Sequence, residues 1–370
     1  MRLATYNIEN IFERALVLNL ESWADGRPIL EAYAELDGLM RQEIYDADIG
    51  RRMVELFKVL GLDKNRRSKY VALVEQRGQL AAATALRGLK VVAKGRDDWS
   101  GWLQLEIEPV PPTSAIVAAQ VIRDIGADVL ALQEVESRRA LSLLTRAIVP
   151  SIGGKRTSEI IHSSGNDDRG LGLGLATREG YNIGWLRSHA DARDEAGQPL
   201  FGRDAVEASV WTPSGQVIWL ILTQLKSRGY GAKDVSDARR HRQATAIAAS
   251  YARLTSEGAK LVAVCGDLSD TPDSEALAPL LRATDLQDVS AHSAFQTDGH
   301  VGTFGRATSK EKTDYLLLSP ALFKKVNGGG AWRKGAWGPS KLPPWDIYPE
   351  MKSSYDAASD HAALWCSFDI

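Results

Sequence analysis

The sequence contains little cysteine, little histidine and no long apolar segment. Two cysteines and six histidines occur among 370 residues. The isolated Cys265 and Cys366 exclude a disulfide framework and argue against a cysteine-based zinc site. No apolar run approaches the length of a membrane span, and the N-terminal MRLATYNIEN has no apolar signal core. We therefore expect a cytoplasmic protein without a membrane span.

The sequence also lacks a strong net charge and several familiar catalytic motifs. The net charge is −2, with 44% hydrophobic and 25% charged residues, so no global basic field is available to hold nucleic acid. A local basic cleft is compatible with this balance. The motifs G-x-x-x-x-G-K-[ST], G-x-S-x-G and H-E-x-x-H do not occur. Their absence argues against P-loop nucleotide chemistry, an α/β-hydrolase esterase and an HExxH zinc protease.

Apolar runs with strand character alternate with helical patterns along most of the chain. Leu3–Asn7 is the first such run, and helical spacing follows over about 15–90. The segment 320–356 has no regular pattern and is predicted to be an ordered surface loop. Strands alternating with helices, with few tight hairpin signals, predict a layered α/β protein. The later strand-like runs are DVLALQEVE (128–136), QVIWLILTQL (216–225), KLVAVCGDL (260–268), DYLLLS (314–319) and AALWCSF (362–368).

Polar residues stand at the ends of these runs. Strand ends are where an α/β scaffold presents a functional site, so their joint occurrence there predicts one. The set consists of carboxylates, amides, one histidine and a lysine. Oxygen donors of this kind suit Mg²⁺, Mn²⁺ or Ca²⁺, and with His and Lys they fit attack of water on a phosphoester. The residues are Asn7, Glu9, Glu134, Gln224, Lys226, Ser227, Asp267, Ser269, Asp314, Asp360 and His361.

Seven motifs resemble those of the endonuclease/exonuclease/phosphatase superfamily, which has the deoxyribonuclease I-like fold. That resemblance implies an α+β fold, a four-layered α/β/β/α sandwich with the site at one rim of the two sheets. It also implies one domain over 1–370, with a mainly helical insertion at about 15–112 as in a bacterial branch of the family. The motifs are TYNIENIF (5–12), DVLALQEVES (128–137), GNDDRGLGLGLATR (165–178), QLKSRGYG (224–231), GDLSDTPDS (266–274), TDYLLLSP (313–320) and SDHAALW (359–365).

The resemblance implies a metal site and a catalytic site that share residues. Glu134 matches the principal metal ligand, with Asn7 and Asp360 as further ligands for Mg²⁺, Mn²⁺ or Ca²⁺. Asp267 matches the aspartate that orients or activates the attacking water, and His361 matches the histidine that faces the phosphate. Asn7 counts as a catalytic residue as well.

Further positions are implied to support the histidine and to bind the substrate. Asp314 matches the acid that hydrogen-bonds the histidine and fixes its tautomer. Arg169 and Lys226 lie in motifs near the substrate phosphate. Nucleic acid is the favoured phosphoester substrate, whereas a protein partner stays unknown. The basic residues that favour nucleic acid are Lys226, Arg228, Lys233, Arg239, Arg240 and Arg242.

The chain departs from the family pattern at four positions. Ser269 replaces an asparagine that helps to hold phosphate or water, and stays a catalytic candidate. Thr223 and Gln224 replace an Asn-His pair, with Gln224 as a substrate-binding candidate, and Gly172 stands where relatives often carry Asp. Two hypotheses follow. The chain is a divalent-metal phosphoesterase, favoured as a phosphodiesterase or nuclease, or it is a catalytically weakened or inactive member that binds nucleic acid or protein.

Overall fold

The structure is a computed structural model that describes residues 1–9, 12–18, 23–84, 88–109, 112–167, 169–228, 232–338 and 342–370. Its strands are β1 (Arg2–Asn7), β2 (Glu13–Ala15), β3 (Val71–Arg77), β4 (Ala81–Thr84), β5 (Gly88–Val91), β6 (Ser100–Leu105), β7 (Ile107–Pro109), β8 (Val129–Val135), β9 (Glu159–Ser163), β10 (Gly172–Thr177), β11 (Asn182–Ser188), β12 (Ala205–Trp211), β13 (Val217–Gln224), β14 (Val262–Asp267), β15 (Gln287–Asp288), β16 (Phe295–Gln296), β17 (Asp314–Leu318), β18 (Val326–Trp332) and β19 (Ala363–Phe368). Its helices are α1 (Trp23–Met40), α2 (Ala47–Val59), α3 (Pro112–Ile125), α4 (Arg138–Leu143), α5 (Val149–Ser151), α6 (Lys233–Ser256), α7 (Ala278–Leu281) and α8 (Pro320–Phe323).

Contacts divide the chain into two compact units, one of Met1–Phe12 with Val110–Ile370 and one of Glu13–Pro109. The larger unit holds two sheets. The first sheet has the strand order β16-β18-β19-β1-β8-β10-β9, and the second has the order β11-β12-β13-β14-β17-β15. The central strands are buried along nearly their whole length, as expected for strands covered on both sides, whereas the edge strand β11 is mostly exposed.

The two sheets pack face to face and helices cover their outer faces. Buried apolar side chains of both sheets, including Leu3 and Leu220, form one core between them. Val121 of α3 lies in a second core with residues of the first sheet, and Ile247 of α6 lies in a third core with residues of the second sheet. The predicted α+β fold, a four-layered α/β/β/α sandwich, is thereby confirmed. Both cysteines are buried and unpaired, as expected.

The smaller unit contains α1, α2 and three two-stranded sheets, β2-β7, β3-β6 and β4-β5. The helix prediction over about 15–90 is wrong beyond α2, because three strands lie between residues 71 and 91. In β3 the first three residues are buried and pair with β6. In β4, pairing with β5 outweighs the helix propensity of the Ala-rich sequence. The unit is therefore mixed, and not mainly helical.

The segment 320–356 is partly a strand, which corrects the prediction of an irregular loop. β18 joins the edge of the first sheet by pairing with β19. Its run of glycines has low strand propensity, and this concealed it in the sequence. The indole of Trp365 lies against Gly328 and Gly330, at 3.4–3.8 Å from where their Cβ atoms would be, so an aromatic ring covers the side-chain-free stretch.

The strand directions bring several ends to one rim. β1 and β8 are parallel neighbours, as are β13 and β14, so their carboxyl ends lie together. β17 and β19 run antiparallel to these neighbours, and their first residues therefore reach the same rim. In the described part of the chain, no helix has the length and apolar character needed to cross a membrane.

Candidate functional site

The two sheets bring six of the predicted residues to this rim. Asn7 ends β1, Asp267 ends β14 and Asp314 begins β17. The register pairs Asp267 with both Gln224 and Asp314. His361 lies two residues before β19, and Glu134 lies next to the end of β8. Hydrogen bonds or ion pairs between their side chains connect these six residues.

Glu134 is presented by a β-bulge. On β10, Gly172 pairs with Val135 and Leu173 pairs with Gln133, so Glu134 has no partner in the ladder. Its φ of 62° lies in the left-handed region, which is uncommon for a residue with a side chain. A bulge re-aims a side chain at a strand end. Here it directs the carboxylate towards Gln224, whose Nε2 donates to Glu134 Oε1 at 2.9 Å.

Asp314 and His361 form a buried pair. His361 Nδ1 lies 2.8 Å from Asp314 Oδ2, which also accepts the hydroxyl of Thr303 at 2.6 Å. Burial by itself lowers the pKa of His361, but the carboxylates of Asp314, Asp360 and Asp267 outweigh it and raise that pKa well above the usual value. The imidazole is therefore held as a cation at neutral pH, with its Nδ1–H donated to Asp314.

Asp267 lies in the centre of the cluster. Its Oδ2 accepts from Gln224 Nε2 at 3.2 Å and from Asn7 Nδ2 at 3.4 Å, and its Oδ1 accepts the Ser269 N–H at 2.7 Å. Burial, and then repulsion from Asp314, raise the pKa of Asp267 to about 6. A carboxylate with this pKa is available as a base near neutral pH.

We predict that Asp267→Asn stabilises the fold in the absence of divalent cations. The folded-state pKa of about 6 exceeds the usual 3.8, so the folded chain disfavours the charged form. This penalty grows as pH rises from about 4 to about 6 and persists above it. We expect urea unfolding at pH 7.5 to show a gain of about 1–3 kcal/mol for Asp267→Asn, absent near pH 4. A difference that does not depend on pH would contradict this cause.

Gln224 bridges the two carboxylates through one amide nitrogen. Its Nε2 donates to both Glu134 and Asp267, which fixes the amide orientation because the reverse one would set Oε1 against two carboxylates. Its Oε1 is buried and has no hydrogen-bond partner among the described residues. A buried acceptor in this state is satisfied by a cation or by a donor that the chain does not provide.

The side chains at the rim include oxygen atoms of the kind that bind a hard divalent cation such as Mg²⁺. The described residues contain no group of three or more His, Cys, Asp or Glu arranged to hold a metal ion. Mg²⁺, however, commonly takes one or two protein carboxylates and completes its shell with water and substrate oxygens. Glu134 and the unpartnered Oε1 of Gln224 provide oxygen donors of that kind.

The remaining predicted residues lie beside the cluster. Asp360 Oδ1 is 3.6 Å from His361 Nε2, and its N–H donates to Glu9 Oε2 at 3.1 Å. Ser269 has a φ of 55°, where asparagine is better tolerated than serine. Burial, and then the charges of Arg239 and Arg169, lower the pKa of Lys226 to about 8. Lys226 and Arg169 are therefore near each other.

One basic residue is removed from the set that favours nucleic acid. Arg240 is 1% exposed and donates to Asp270 Oδ2 at 3.1 Å and to the carbonyl of Lys226 at 2.8 Å. It also pairs with Asp237. Arg240 therefore gives no support to nucleic-acid binding, because its side chain is buried in an ion-pair network that braces the Lys226 loop.

Sequence reasoning missed Arg203 and Asp167. Arg203 is 8% exposed, and its Nη1 lies 3.3 Å from Glu134 Oε1. Its Nε lies 3.6 Å from Asp167 Oδ1, and Asp167 pairs with Arg169 at 3.6 Å. The signal for Asp167 was its place in the motif GNDDRGLGLGLATR (165–178). The signal for Arg203 was the charged Arg-Asp dipeptide directly before the apolar β12.

Comparison with known proteins shows the family of this chain. The profile described as "Endonuclease/Exonuclease/phosphatase family" matches residues 111–326, more than half of the chain. No match is found among curated protein sequences.

Solved structures provide the third comparison. The chain is similar to a mannosyl-6-phosphatase of Bacteroides thetaiotaomicron, with a TM-score of 0.50 and 13% identity over 70% of this chain and 91% of that one. The catalytic domain of human Nocturnin gives a TM-score of 0.49 and 18% identity, over 70% and 87% of the two chains. Truncated TDP2 of Caenorhabditis elegans gives 0.48 and 16%, over 70% and 90%. At such identities the similarity to the Bacteroides phosphatase shows the fold alone.

Proposed function

Because the chain belongs to the endonuclease/exonuclease/phosphatase family, we propose that it is a divalent-metal-dependent phosphoesterase, in particular a phosphodiesterase or nuclease. The observation that carries this proposal is the buried cluster in which Gln224 bridges Asp267 to Glu134, and Asn7 donates to Asp267 beside His361. A base and a cationic donor lie side by side there, which hydrolysis of a P–O bond requires.

The proposed reaction divides the work between these residues. Asp267 takes the proton of the attacking water as the water oxygen bonds to phosphorus, since its raised pKa makes it a base near neutral pH. The ester P–O bond breaks, and the leaving oxygen takes a proton from solvent. The imidazolium of His361, held by Asp314, donates from Nε2 to the phosphate. Asn7 lies between the base and the donor: its Nδ2 donates to Asp267 Oδ2 at 3.4 Å and is 3.5 Å from His361 Nε2, a contact that is not a hydrogen bond while that nitrogen is protonated.

A cation at this site would be held by Glu134 as the principal ligand, with Asn7 and Asp360 as further ligands. When bound, it neutralises charge on the phosphate oxygens. Mg²⁺ or Mn²⁺ is the proposed ion, with Ca²⁺ as an alternative. Lys226 and Arg169 are proposed to contact the phosphate. For Arg169 the support is its ion pair with Asp167, which Arg203 connects to Glu134.

Nucleic acid is the proposed substrate, since basic residues such as Arg228 lie in the loop after β13. A supercoiled plasmid and a set of phosphomonoesters, each with Mg²⁺ or Mn²⁺, test the class. Plasmid nicking that exceeds monoester hydrolysis supports a nuclease. Monoester hydrolysis without nicking would instead make the chain a phosphatase and overturn the nucleic-acid proposal.

The alternative is a weakened or inactive member that binds nucleic acid or protein, and Thr223 favours it. Its hydroxyl is buried without a hydrogen-bond partner among the described residues, so the replaced pair leaves a polar group unused. The Ser269 replacement does not affect the hydrogen bond to Asp267, because the donor is the backbone N–H. We also propose one domain with an insertion at about 15–112, which the bounds of the smaller unit, Glu13–Pro109, support.

Gln224→Met is expected to lower kcat by about ten- to a hundredfold. The variant keeps the side-chain length but removes the donor that Glu134 and Asp267 share, so the two carboxylates repel each other. Steady-state kinetics on a simple phosphodiester measure the effect. The control is Gln287→Met in the exposed edge strand β15. An unchanged kcat in Gln224→Met would show that this bridge does not serve catalysis.

A further inference from the structure

A buried carboxylate outside the proposed reaction lies directly beside Arg203. Asp204 is 0% exposed and has a φ of 69°. Its Oδ2 accepts the hydroxyls of Ser163 at 2.5 Å and Ser188 at 2.6 Å, and its Oδ1 accepts the N–H groups of His189 at 2.8 Å and Ala205 at 2.7 Å. Burying a carboxylate is costly unless donors compensate, and these four donors do so.

The four donors come from both sheets. Ser163 ends β9 of the first sheet, whereas Ser188 ends β11 of the second sheet. Asp204 thus ties the two sheets together at the rim that holds the site. The neighbouring backbone reinforces the tie, because the Asn166 N–H donates to the Gly202 carbonyl at 2.5 Å. The loop before β12 is therefore fixed on both sides of Arg203.

Arg203 depends on that loop for its direction. Its contacts with Glu134 and Asp167 are ion pairs of 3.3 Å and 3.6 Å. Its Nε makes no hydrogen bond with any described residue. Long ion pairs restrain a guanidinium weakly, so the position of the Arg203 backbone decides whether Nη1 reaches Glu134. That backbone is set by the residue that follows it.

We propose that Asp204 is a positioning residue that holds Arg203 against Glu134, and so fixes the proposed metal-ligand carboxylate within the site. This inference rests on the proposed phosphoesterase function for its kinetic consequence. Asp204 itself does not touch the reacting atoms and acts through Arg203.

Asp204→Asn tests the proposal with little change of shape. Asn, like Asp, is tolerated at positive φ. Its NH₂ group, however, cannot accept the hydrogen bonds that one carboxylate oxygen of Asp204 accepts. We expect kcat on a simple phosphodiester to fall by about ten- to a hundredfold, with a much smaller change in KM. Arg203→Ala is expected to lower kcat at least as much. The double variant should be no slower than Arg203→Ala, because Asp204 acts through Arg203.

The control is Asp128→Asn, which alters a carboxylate at the opposite end of the first sheet. Asp128 accepts the N–H of Arg2 at 2.8 Å and pairs with Arg178. We expect this variant to lower the free energy of unfolding without lowering kcat. Losses of kcat that multiply in the double variant, or an equal kcat loss in Asp128→Asn, would overturn the proposal and leave Asp204 with a structural role only.

A second readout does not depend on turnover. In protein labelled at arginine, the Nε–H resonance of Arg203 is identified by its loss in Arg203→Ala. Asp204→Asn is expected to shift or broaden this resonance, and Asp128→Asn to leave it unchanged. If the wild type hydrolyses nothing but the resonance responds in this way, the positioning role stands and the proposed function fails. A resonance that Asp204→Asn leaves unchanged would overturn the positioning role.

Discussion

Asp267→Asn is expected to lower kcat by about a thousandfold, within the range for the loss of a general base. The amide keeps the shape of the carboxylate, but its NH₂ group replaces one of the two oxygens that accept from Gln224, Asn7 and the Ser269 N–H. The amide group of the variant cannot accept a proton from water. Urea unfolding of the variant under the assay conditions, with Mg²⁺ present, separates loss of the base from loss of the fold.

The control for this variant is Asp285→Asn. Asp285 also accepts one strong hydrogen bond, from the Tyr251 hydroxyl at 2.5 Å, but precedes β15 at the other end of the second sheet. The kcat of Asp285→Asn on a phosphodiester should equal that of the wild type. If Asp267→Asn retained more than about a tenth of the wild-type kcat, the residue would not be the base that the reaction requires.

His361→Gln is expected to lower kcat by about a hundred- to a thousandfold. The raised pKa of His361 keeps the imidazole cationic at neutral pH, and glutamine offers the phosphate a neutral donor only. The buried carboxylate of Asp314 also loses its charged partner and keeps the hydroxyls of Thr303 and Thr313. Stopped assays with a large excess of enzyme measure the residual rate.

Asp314→Asn tests whether the aspartate works through the histidine. Asp314 contacts Nδ1 of His361, on the side away from the proposed phosphate. We expect the single variant to lose less kcat than His361→Gln, and the double variant to be no slower than His361→Gln. Losses that multiply would show that Asp314 acts on the reaction by a separate route.

The sequence contains enough information to predict the rim. Parallel strands place their carboxyl ends at one edge, so Asn7, Glu134, Gln224 and Asp267 follow from four strand ends once the strands are recognised. The position of His361 at this rim also follows, because the dipeptide of Asp360 and His361 lies just before the apolar strand β19. The roles of these residues stay proposals until activity is measured.

The rest depends on contacts between distant segments. Arg203 reaches Glu134 only because the loop before β12 folds against the loop after β9. The bridging role of Gln224 depends on its register with Asp267. Arg240 carries a charge that suggests exposure, yet burial by Asp237 and Asp270 is visible only in three dimensions. The strand β18 was hidden because glycines carry no hydrophobic periodicity.

The most direct test of the central claim is hydrolysis of a simple aryl phosphodiester by the wild type and by Glu134→Ala across a Mg²⁺ titration. The proposed function predicts hydrolysis that requires the cation in the wild type and that is absent in the variant, because Glu134 is the principal proposed ligand. Equal hydrolysis by the wild type and by Glu134→Ala would contradict the proposal that Glu134 is the principal ligand of the cation. If neither this diester nor phosphomonoesters were hydrolysed, the phosphoesterase proposal would be wrong, and a binding function would replace it.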